Sequence, residues 1–326
     1  MTGTEALDAA LEPRPLFRGP LTNQRPRIVR SFGSDPWVVL AVAILGMIAV
    51  LIPGIGVMRS GARRWLSLGG VTFQPSELAK FAFVLYLARS LAKRGERVRE
   101  LWHGVIPHCV VAGVIAVLCL REPDFGTTVL SGLILVLMLF AAGGRLAHLA
   151  LFVAAAAPGL VALAVMAPYR FKRLSSFLDC TRDALGDGFQ LCQALIAFGS
   201  GGVSGVGLGQ GQQKMYFLPA AHTDFIFSVI GEELGLVGAA AVLILFAVIA
   251  ARGLRIAARH PDTFGGLLAF GLTALIVVQG LLNFGVALGA LPTKGLTLPF
   301  VSYGGSAMMI SLAELGVLLA LARESG

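Results

Sequence analysis

Long apolar segments alternate with short polar connections over most of the chain. A helix needs about 20 predominantly apolar residues to cross the hydrocarbon core of a bilayer, and eight segments approach this length. They are residues 36–53, 75–92, 104–120, 125–142, 146–167, 225–251, 263–289 and 305–322. The pattern predicts an all-α polytopic membrane protein of eight transmembrane helices, with a large extracytoplasmic loop between the fifth and the sixth.

Two long polar stretches interrupt this pattern. Residues 1–35 hold four prolines and five arginines without an apolar run, which is typical of a disordered tail rather than of a secretory signal peptide. The loop 168–223 contains a short helical pattern at 189–198 and then seven glycines between residues 199 and 211. This glycine run favours a tightly shaped backbone close to other groups, with a disordered linker as the alternative. The remainder, 36–326, is predicted to be one membrane domain.

Composition and charge sharpen the picture. The chain is 56% hydrophobic and 13% charged, whereas soluble domains carry about 25% charged residues. The net charge of +8 is typical of Lys and Arg facing anionic lipid, and nucleic-acid binding is not expected. Connections on the side of the tail hold 15 Lys and Arg against ten on the other side, which predicts that both termini are cytoplasmic. The ten outer cations indicate an anionic, lipid-linked ligand.

Four cysteines occur along the chain. Cys109 and Cys119 fall in apolar segments and are interpreted as packing residues. Cys180 and Cys192 lie in the long loop, where an extracytoplasmic location would permit a disulfide. We favour two unpaired thiols there. No Cys/His spacing typical of a metal site occurs.

Polar residues gather in four of the outward connections. The first cluster holds Arg63, Arg64, Glu77 and Lys80, the second Glu122 and Asp124, the third His222, Thr223 and Asp224, and the fourth Lys294, Ser302, Tyr303, Gly304 and Gly305. The predicted topology places all four at one face of the membrane. They suggest a composite site with cations for a phosphate group and carboxylates for proton transfer or metal binding.

These clusters closely resemble the SEDS family of bacterial cell-wall proteins, with matching segments in order between residues 39 and 322. The segments 61–65, 207–219 and 292–295 look more like the division type than the elongation type. The resemblance implies a peptidoglycan glycosyltransferase at the outer face of the bacterial cytoplasmic (inner) membrane. Its substrate would be lipid II, a disaccharide-pentapeptide on undecaprenyl diphosphate. A class B penicillin-binding protein and other divisome proteins are the implied partners.

Asp224 matches the essential aspartate of that family, and the resemblance implies that it is the catalytic residue. As general base, it would take the proton from the 4-hydroxyl of the acceptor sugar while that oxygen attacks the anomeric carbon of the donor. One displacement converts the α-linked donor into a β-1,4 product with inversion. The alternative is an N-cap, because Thr223 or Asp224 directly before an apolar helix is a common capping choice. His222 and Thr223 are predicted to be hydrogen-bonding or substrate-binding neighbours.

Cations are needed to neutralise the negative charge of the leaving diphosphate. The predicted contacts are Arg63, Lys80 and Lys294, together with Arg64 and Lys214. Snorkelling to lipid headgroups is the alternative for each of them, above all for Arg64 and Lys214. Lys80 lies inside a span and needs an anionic partner.

Several acidic and small residues remain to be assigned. Glu122 is the candidate partner of Lys80, and Glu77 at i−3 is the alternative. Asp124 is expected to cap the next helix. For the residues from Ser302 to Gly305, helix packing and substrate contact weigh equally.

Three further expectations come with the resemblance. A divalent cation, Mg²⁺ or Mn²⁺, near Asp224 would suit diphosphate chemistry, although no ligand pattern in the sequence identifies one. Family members usually have ten spans, and segment 36–53 matches their third, so the first two are expected to be absent. A lipid-linked precursor flippase or an inactive divisome scaffold are the competing functions. A transporter would keep ionisable residues along its whole path, whereas here they concentrate at one face.

Overall fold

The structure is a computed structural model that describes residues 16, 35–59, 62–68, 71–166, 177, 180–183, 188–216, 218, 221–293 and 295–325. The predicted tail 1–35, apart from residues 16 and 35, and the site residue Lys294 lie outside the described residues. Most of the described chain is helical, as the apolar segments predict.

Ten α-helices are described. They are α1 (Pro36–Leu51), α2 (Pro75–Arg94), α3 (Ile106–Arg121), α4 (Phe125–Ala141), α5 (Leu146–Met166), α6 (Phe189–Gly201), α7 (Gln213–Tyr216), α8 (Ile226–Arg259), α9 (Thr263–Ala287) and α10 (Gly305–Ser325). All eight predicted spans coincide with one of these helices. Five described helical segments are long and apolar enough to cross a membrane, and α1 and α4 are shorter apolar helices. The prediction of an all-α polytopic membrane protein is confirmed.

A small antiparallel sheet follows α1, which the all-α prediction did not include. Its strands are β1 (Gly56–Arg59), β2 (Ala62–Leu68) and β3 (Val71–Phe73), with β2 in the centre. Leu66 pairs with Gly56 on one side and with Phe73 on the other. Val57 pairs with Trp65 and Met58 with Arg63, so the register shifts by one residue and Arg64 is the extra residue of a β-bulge.

The chain forms two compact units. The first comprises Met1–Ala156, Arg252–Leu275 and Ala313–Gly326, and the second comprises Ala157–Ala251 and Ile276–Leu312. Helix α2 forms much of the buried core of the first unit, although five of its 20 residues are charged. Small residues explain part of this packing: a Cβ on Gly271 of α9 would lie 2.7 Å from Val84 of α2.

The second unit contains a broken helix. Within α8, Gly235 has φ 65° and ψ −161°, a conformation that glycine adopts at low cost. A break leaves backbone groups without helical partners, and the loop after α6 supplies them. The bonds run from Val206 N to Glu232 O, from Gly207 N to Glu233 O, from Leu236 N to Gly202 O, and from Val237 N to Val203 O, at 3.0, 3.0, 3.0 and 3.2 Å. The prediction that the glycine run forms a tightly shaped backbone close to other groups is confirmed for these residues.

A disulfide joins Cys180 to Cys192, with their Cα atoms 5.6 Å apart. The prediction of two unpaired thiols is therefore wrong. Helix α6 begins at Phe189, so Cys192 lies in its first turn, and the 3₁₀ turn Cys180–Asp183 folds back against it. The helical pattern at 189–198 is confirmed as α6, but the fold-back depends on contacts between distant residues that periodicity does not encode.

Candidate functional site

Asp224 lies in the turn that leads into α8 and is half-buried. The N–H groups of Ser228 and Val229 donate to the carbonyl of Phe225 at 3.0 and 3.3 Å. This places Phe225 at the N-cap position and Asp224 one residue before it. The helix therefore begins just after the carboxylate that the resemblance identifies.

Three consecutive carbonyl groups fix the backbone of this turn within the second unit. The His222 carbonyl accepts from Tyr303 N at 2.8 Å, and the Asp224 carbonyl accepts from Asn283 Nδ2 at 2.9 Å. Between them, the Thr223 carbonyl accepts from the hydroxyl of Ser302. The third and fourth predicted clusters are thus brought together, and the turn has little freedom to move.

Asn283 is the residue that sequence reasoning missed here. Its side chain lies on α9, is buried, and donates both to Asp224 O and to Leu296 O, the second at 2.7 Å. One turn earlier, Gln279 donates to the carbonyl of Thr297 at 2.9 Å. Two amides four residues apart in an apolar helix were the available signal, because polar residues in a span are costly unless they have partners.

An open cavity of about 590 Å³ adjoins the turn, a size that suits a small ligand or part of a larger one. Its lining consists of His222, Ile226, Val301, Ser302, Tyr303, Gly304, Gly305 and Met308. Tyr303 is 82% exposed, whereas Ser302 is buried. The structure therefore places five predicted site residues around one cavity, and gives Ser302 a packing role as well.

Lys80 forms a buried ion pair in the first unit. Its Nζ lies 2.9 Å from the Glu77 carboxylate, and both side chains are buried. The prediction that Glu122 is its partner is wrong, because neither carboxyl oxygen of Glu122 has a hydrogen-bond partner among the described residues. The i−3 alternative, Glu77, is correct. Glu314 on α10, which sequence reasoning did not single out, is buried near enough to interact electrostatically with Lys80 and Glu77.

Arg64 covers the end of α3. Its Nε and Nη2 donate to the carbonyl oxygens of Glu122 and Pro123 at 2.7 and 2.6 Å, which satisfies groups left over at a helix C-terminus. Snorkelling to lipid is therefore not its role in this structure. Arg63, on the same strand, is half-buried.

The carboxyl group of Glu122 is fully buried beneath this contact. Burial, and after it the nearby Asp124 carboxylate, raise its pKa from 4.5 to about 8 against the opposing effect of Arg64. Asp124 accepts from Thr127 N and Thr127 Oγ1 at 3.0 and 2.9 Å, so the predicted cap of α4 is confirmed. Glu122 is consequently a neutral acid at the end of α3 at neutral pH.

No group of three or more His, Cys, Asp and Glu side chains in the described part of the chain is placed to hold a metal ion. The described residues therefore do not fit a metal site made by protein groups alone, which usually needs several such ligands. The substrate-binding roles of Arg63, Lys80, Glu122 and Lys294 stay predictions.

Known proteins of a single family match nearly the whole chain. The model of the FtsW/RodA/SpoVE family, described as cell cycle protein, matches residues 32–326. A probable peptidoglycan glycosyltransferase FtsW of Geobacter metallireducens is 44% identical over 281 residues, which is 86% of this chain and 75% of the relative. Stage V sporulation protein E of Bacillus subtilis is 41% identical over 287 residues, which is 88% of this chain and 78% of that protein.

Solved structures show the same fold. A chain of a peptidoglycan synthase complex, solved to explain the coordination of polymerization and crosslinking, has a TM-score of 0.76 at 31% identity. The match covers 98% of this chain and 88% of that one. The rod shape determining protein RodA of Thermus thermophilus has a TM-score of 0.65 at 30% identity, covering 91% of this chain and 80% of its own. This chain belongs to the FtsW/RodA/SpoVE family of cell cycle proteins.

Proposed function

We propose that this chain is a peptidoglycan glycosyltransferase that polymerises lipid II into glycan strands during cell division. The observation that carries the proposal is the fixed turn at Asp224, whose carbonyls at residues 222, 223 and 224 each have a hydrogen-bond donor. His222 and Ile226, on either side of Asp224 in sequence, line the cavity. A carboxylate held on a fixed backbone beside a cavity meets the positional requirement for a general base.

The reaction is one displacement. Asp224 takes the proton of the acceptor 4-hydroxyl, and the oxygen forms a bond to the anomeric carbon of the donor as the bond to diphosphate breaks. The departing diphosphate carries the negative charge away, and the anomeric configuration inverts. Tyr303, exposed at the cavity, is a candidate to stack against a sugar ring.

Two of the candidate cations are held by other groups of the protein. Lys80 is paired with Glu77, and Arg64 is bonded to the carbonyls at the end of α3. Arg63 and Lys294 are therefore the preferred candidates for neutralising the leaving diphosphate. Lys80 would contribute only if Glu77 released it.

A divalent cation enters the proposal as a companion of the substrate. Mg²⁺ is usually held by one or two carboxylates together with substrate phosphates, with water completing its shell. The diphosphate would therefore supply most of the ligands. A chelator added to the polymerisation assay tests this, and unchanged polymer yield would count against the cation.

Membrane placement and partners form part of the same proposal. The protein lies in the bacterial inner membrane with both termini in the cytoplasm, so the loop that contains the Cys180–Cys192 disulfide faces an oxidising compartment. It acts with a class B penicillin-binding protein and other divisome proteins. The likeness to a chain of a peptidoglycan synthase complex supports such a partner.

A lipid-linked precursor flippase is the second candidate. The observation in its favour is the buried charge inside the first unit, where Glu314 on α10 joins the Glu77–Lys80 pair of α2. Ionisable groups within membrane helices often mark transport paths. The same reconstitution experiment separates the two functions.

The test uses the full chain in vesicles with its cognate penicillin-binding partner, transpeptidation blocked, and labelled lipid II. Wild type should form glycan polymer, and Asp224→Asn should lower the rate by about 10²- to 10⁴-fold, since a general base contributes that much. The matched control is Asp35→Asn, the same change at an exposed aspartate whose side chain makes no capping bond to α1. It should leave the rate unchanged.

Each other outcome has a meaning. Equal polymer from wild type and Asp224→Asn would remove the general-base role. Movement of labelled lipid II across the vesicle without polymer would favour the flippase. Neither polymer nor movement, with the partner still bound, would favour a scaffold.

A further inference from the structure

We propose that Glu232 and Glu233 are positioning residues, which hold the loop 205–214 against α8 and thereby set the place of Asp224. The two side chains are consecutive in α8, just before the break at Gly235, and are 3% and 9% exposed. Their role as positioning residues rests on the proposed function of Asp224. The contacts of the two carboxylates with the loop are independent of that function.

Glu232 holds the start of the short helix α7. Its Oε1 accepts from the backbone N–H groups of Gln212 and Gln213 at 2.9 and 3.2 Å. These are among the groups that a helix leaves unpaired at its N-terminus, where a negative charge is favourable. A residue in a membrane-spanning helix thus fixes the direction of a loop helix.

Glu233 holds the loop on either side of that point. Its Oε2 accepts from Gly209 N at 3.1 Å, and its carboxylate forms an ion pair with Lys214. Lys214 is therefore engaged within the protein, which is neither of the roles predicted for it from sequence. Because a buried charge needs a partner, losing Lys214 should loosen Glu233 and the loop together.

Gly211 shows how closely the loop approaches the two carboxylates. A Cβ at this position would lie 2.9 Å from an oxygen of Glu232 and 2.9 Å from an oxygen of Glu233. Such distances are too short for any side chain without displacement of the carboxylates. The backbone of the loop is therefore in direct contact with the pair.

Leu218 connects the loop to the turn that carries Asp224. Leu218 N donates to Gln213 O at 2.8 Å, and the Leu218 side chain packs in a buried cluster that includes Ala221 and Phe225. Asp224 lies between these last two residues. The segment from Gln213 to Phe225 is thus held at one end by Glu232 and at the other by the start of α8 itself.

Helix α8 therefore contacts the catalytic turn in two ways. It begins directly after the turn, and its Glu232 holds the loop that precedes the turn. With a rise of about 1.5 Å per residue, Glu232 lies roughly 9 Å along the axis from Ile226. The hydrogen bond from Gln213 N to Glu232 Oε1 joins the two ends of the segment 213–232. Asp224 is part of this segment. A shift of the loop would displace Asp224 relative to the cavity.

The first experiment measures polymerisation by Glu233→Gln and Lys214→Met in the full chain with its partner. Displacing a catalytic group by about 1 Å can cost 10²-fold in rate, so we expect kcat to fall by roughly 10- to 100-fold. KM should stay within about threefold, since the substrate contacts remain. The double variant should lose little more than either single variant, because the two residues act as one pair. Gln210→Ala, at an exposed position of the same loop, is the matched control and should match wild type.

The second experiment measures hydrogen exchange and does not depend on activity. Glu233→Gln should speed amide exchange in peptides covering 205–216 and also in those covering 221–228. Faster exchange in the first segment alone, with kcat unchanged, would overturn the positioning role. Unchanged exchange in both segments would overturn the contacts themselves. If Glu233→Gln fails to fold, Lys214→Met carries both measurements, because that residue lies in the loop.

The two experiments separate this inference from the proposed function. A wild-type chain that forms no polymer would overturn the glycosyltransferase and with it the catalytic part of the inference. Hydrogen exchange would still decide whether the carboxylates hold the loop and the turn. A KM that rises with kcat unchanged would also contradict positioning, since it would indicate lost substrate binding instead.

Discussion

Gln279 and Asn283 lie four residues apart on α9 and point their amides at backbone carbonyls of the connection before α10. Asn283 also bonds to the carbonyl of Asp224. Buried amides of this kind are costly unless their hydrogen bonds are made. Their presence in an apolar helix shows that single polar side chains hold the connections in place.

Glu122 leads to a pH prediction at this scale. Its pKa is raised from 4.5 to about 8 in the folded protein by burial, and the folded chain therefore binds more protons than the unfolded chain between these values. Its contribution to stability is complete below pH 4.5 and is lost as pH rises towards about 8. The slope is at most about 1.4 kcal/mol per pH unit.

Thermal unfolding of the full chain in detergent, measured across that window, checks the prediction. Wild type should lose stability with rising pH faster than Glu122→Gln, which mimics the neutral acid and does not titrate. Parallel curves for the two proteins would contradict a raised pKa at Glu122.

At the scale of elements, the contact between α6 and α8 depends on the absence of side chains. A Cβ on Gly201, the last residue of α6, would lie 1.9 Å from the carbonyl oxygen of Gly231 in α8. A Cβ on Gly205 would lie almost as close to the carbonyl oxygen of Glu233, at 2.1 Å. The two backbones touch, which lets the loop pair with the break at Gly235.

Gly201→Ala should therefore destabilise the protein by about 1–3 kcal/mol, because the added methyl group forces the two backbones apart. Gly199→Ala is the matched control, since a Cβ there meets nothing within 4 Å and alanine favours a helix by about 1 kcal/mol. Thermal unfolding should show a large loss for the first variant and no loss for the second. Similar melting temperatures would mean that the helices are not in backbone contact.

The elements differ in how far the sequence predicts them. The membrane helices were predictable because a long apolar run has few alternatives. The strands of three to seven residues were not, because they lie in a short polar connection and depend on pairing with each other. Glu232 and Glu233 lie inside a predicted span, and no role was predicted for them. Their partners are in a loop about 20 residues earlier in the chain, and the helical pattern does not indicate that contact.

On the scale of the whole molecule, four of the described helices contribute to both compact units. Helices α5, α8, α9 and α10 each have one end in the first unit and the other end in the second. The predicted clusters divide in the same way: those with Lys80 and Glu122 belong to the first unit, and those with Asp224 and Ser302 to the second. That all four form one composite site remains a prediction.

The disulfide provides a prediction for the intact protein in cells. Thiols that react with maleimide in the unreduced, denatured chain should number two, Cys109 and Cys119, and reduction should raise the number to four. Cys192→Ser should give three with or without reduction, as a matched control. Four reactive thiols before reduction would contradict both the disulfide and an oxidising location for the loop.

The broken helix also bears on the biogenesis of the protein. The ribosome delivers residues 202–207 before α8, so these backbone groups can meet the partners described above only once residues 232–237 have been synthesised. Completion of the loop therefore has to wait until α8 has been synthesised as far as its break. The turn that carries Asp224 is completed later still, because Asn283, Ser302 and Tyr303, which donate to its carbonyls, follow α8 in the chain.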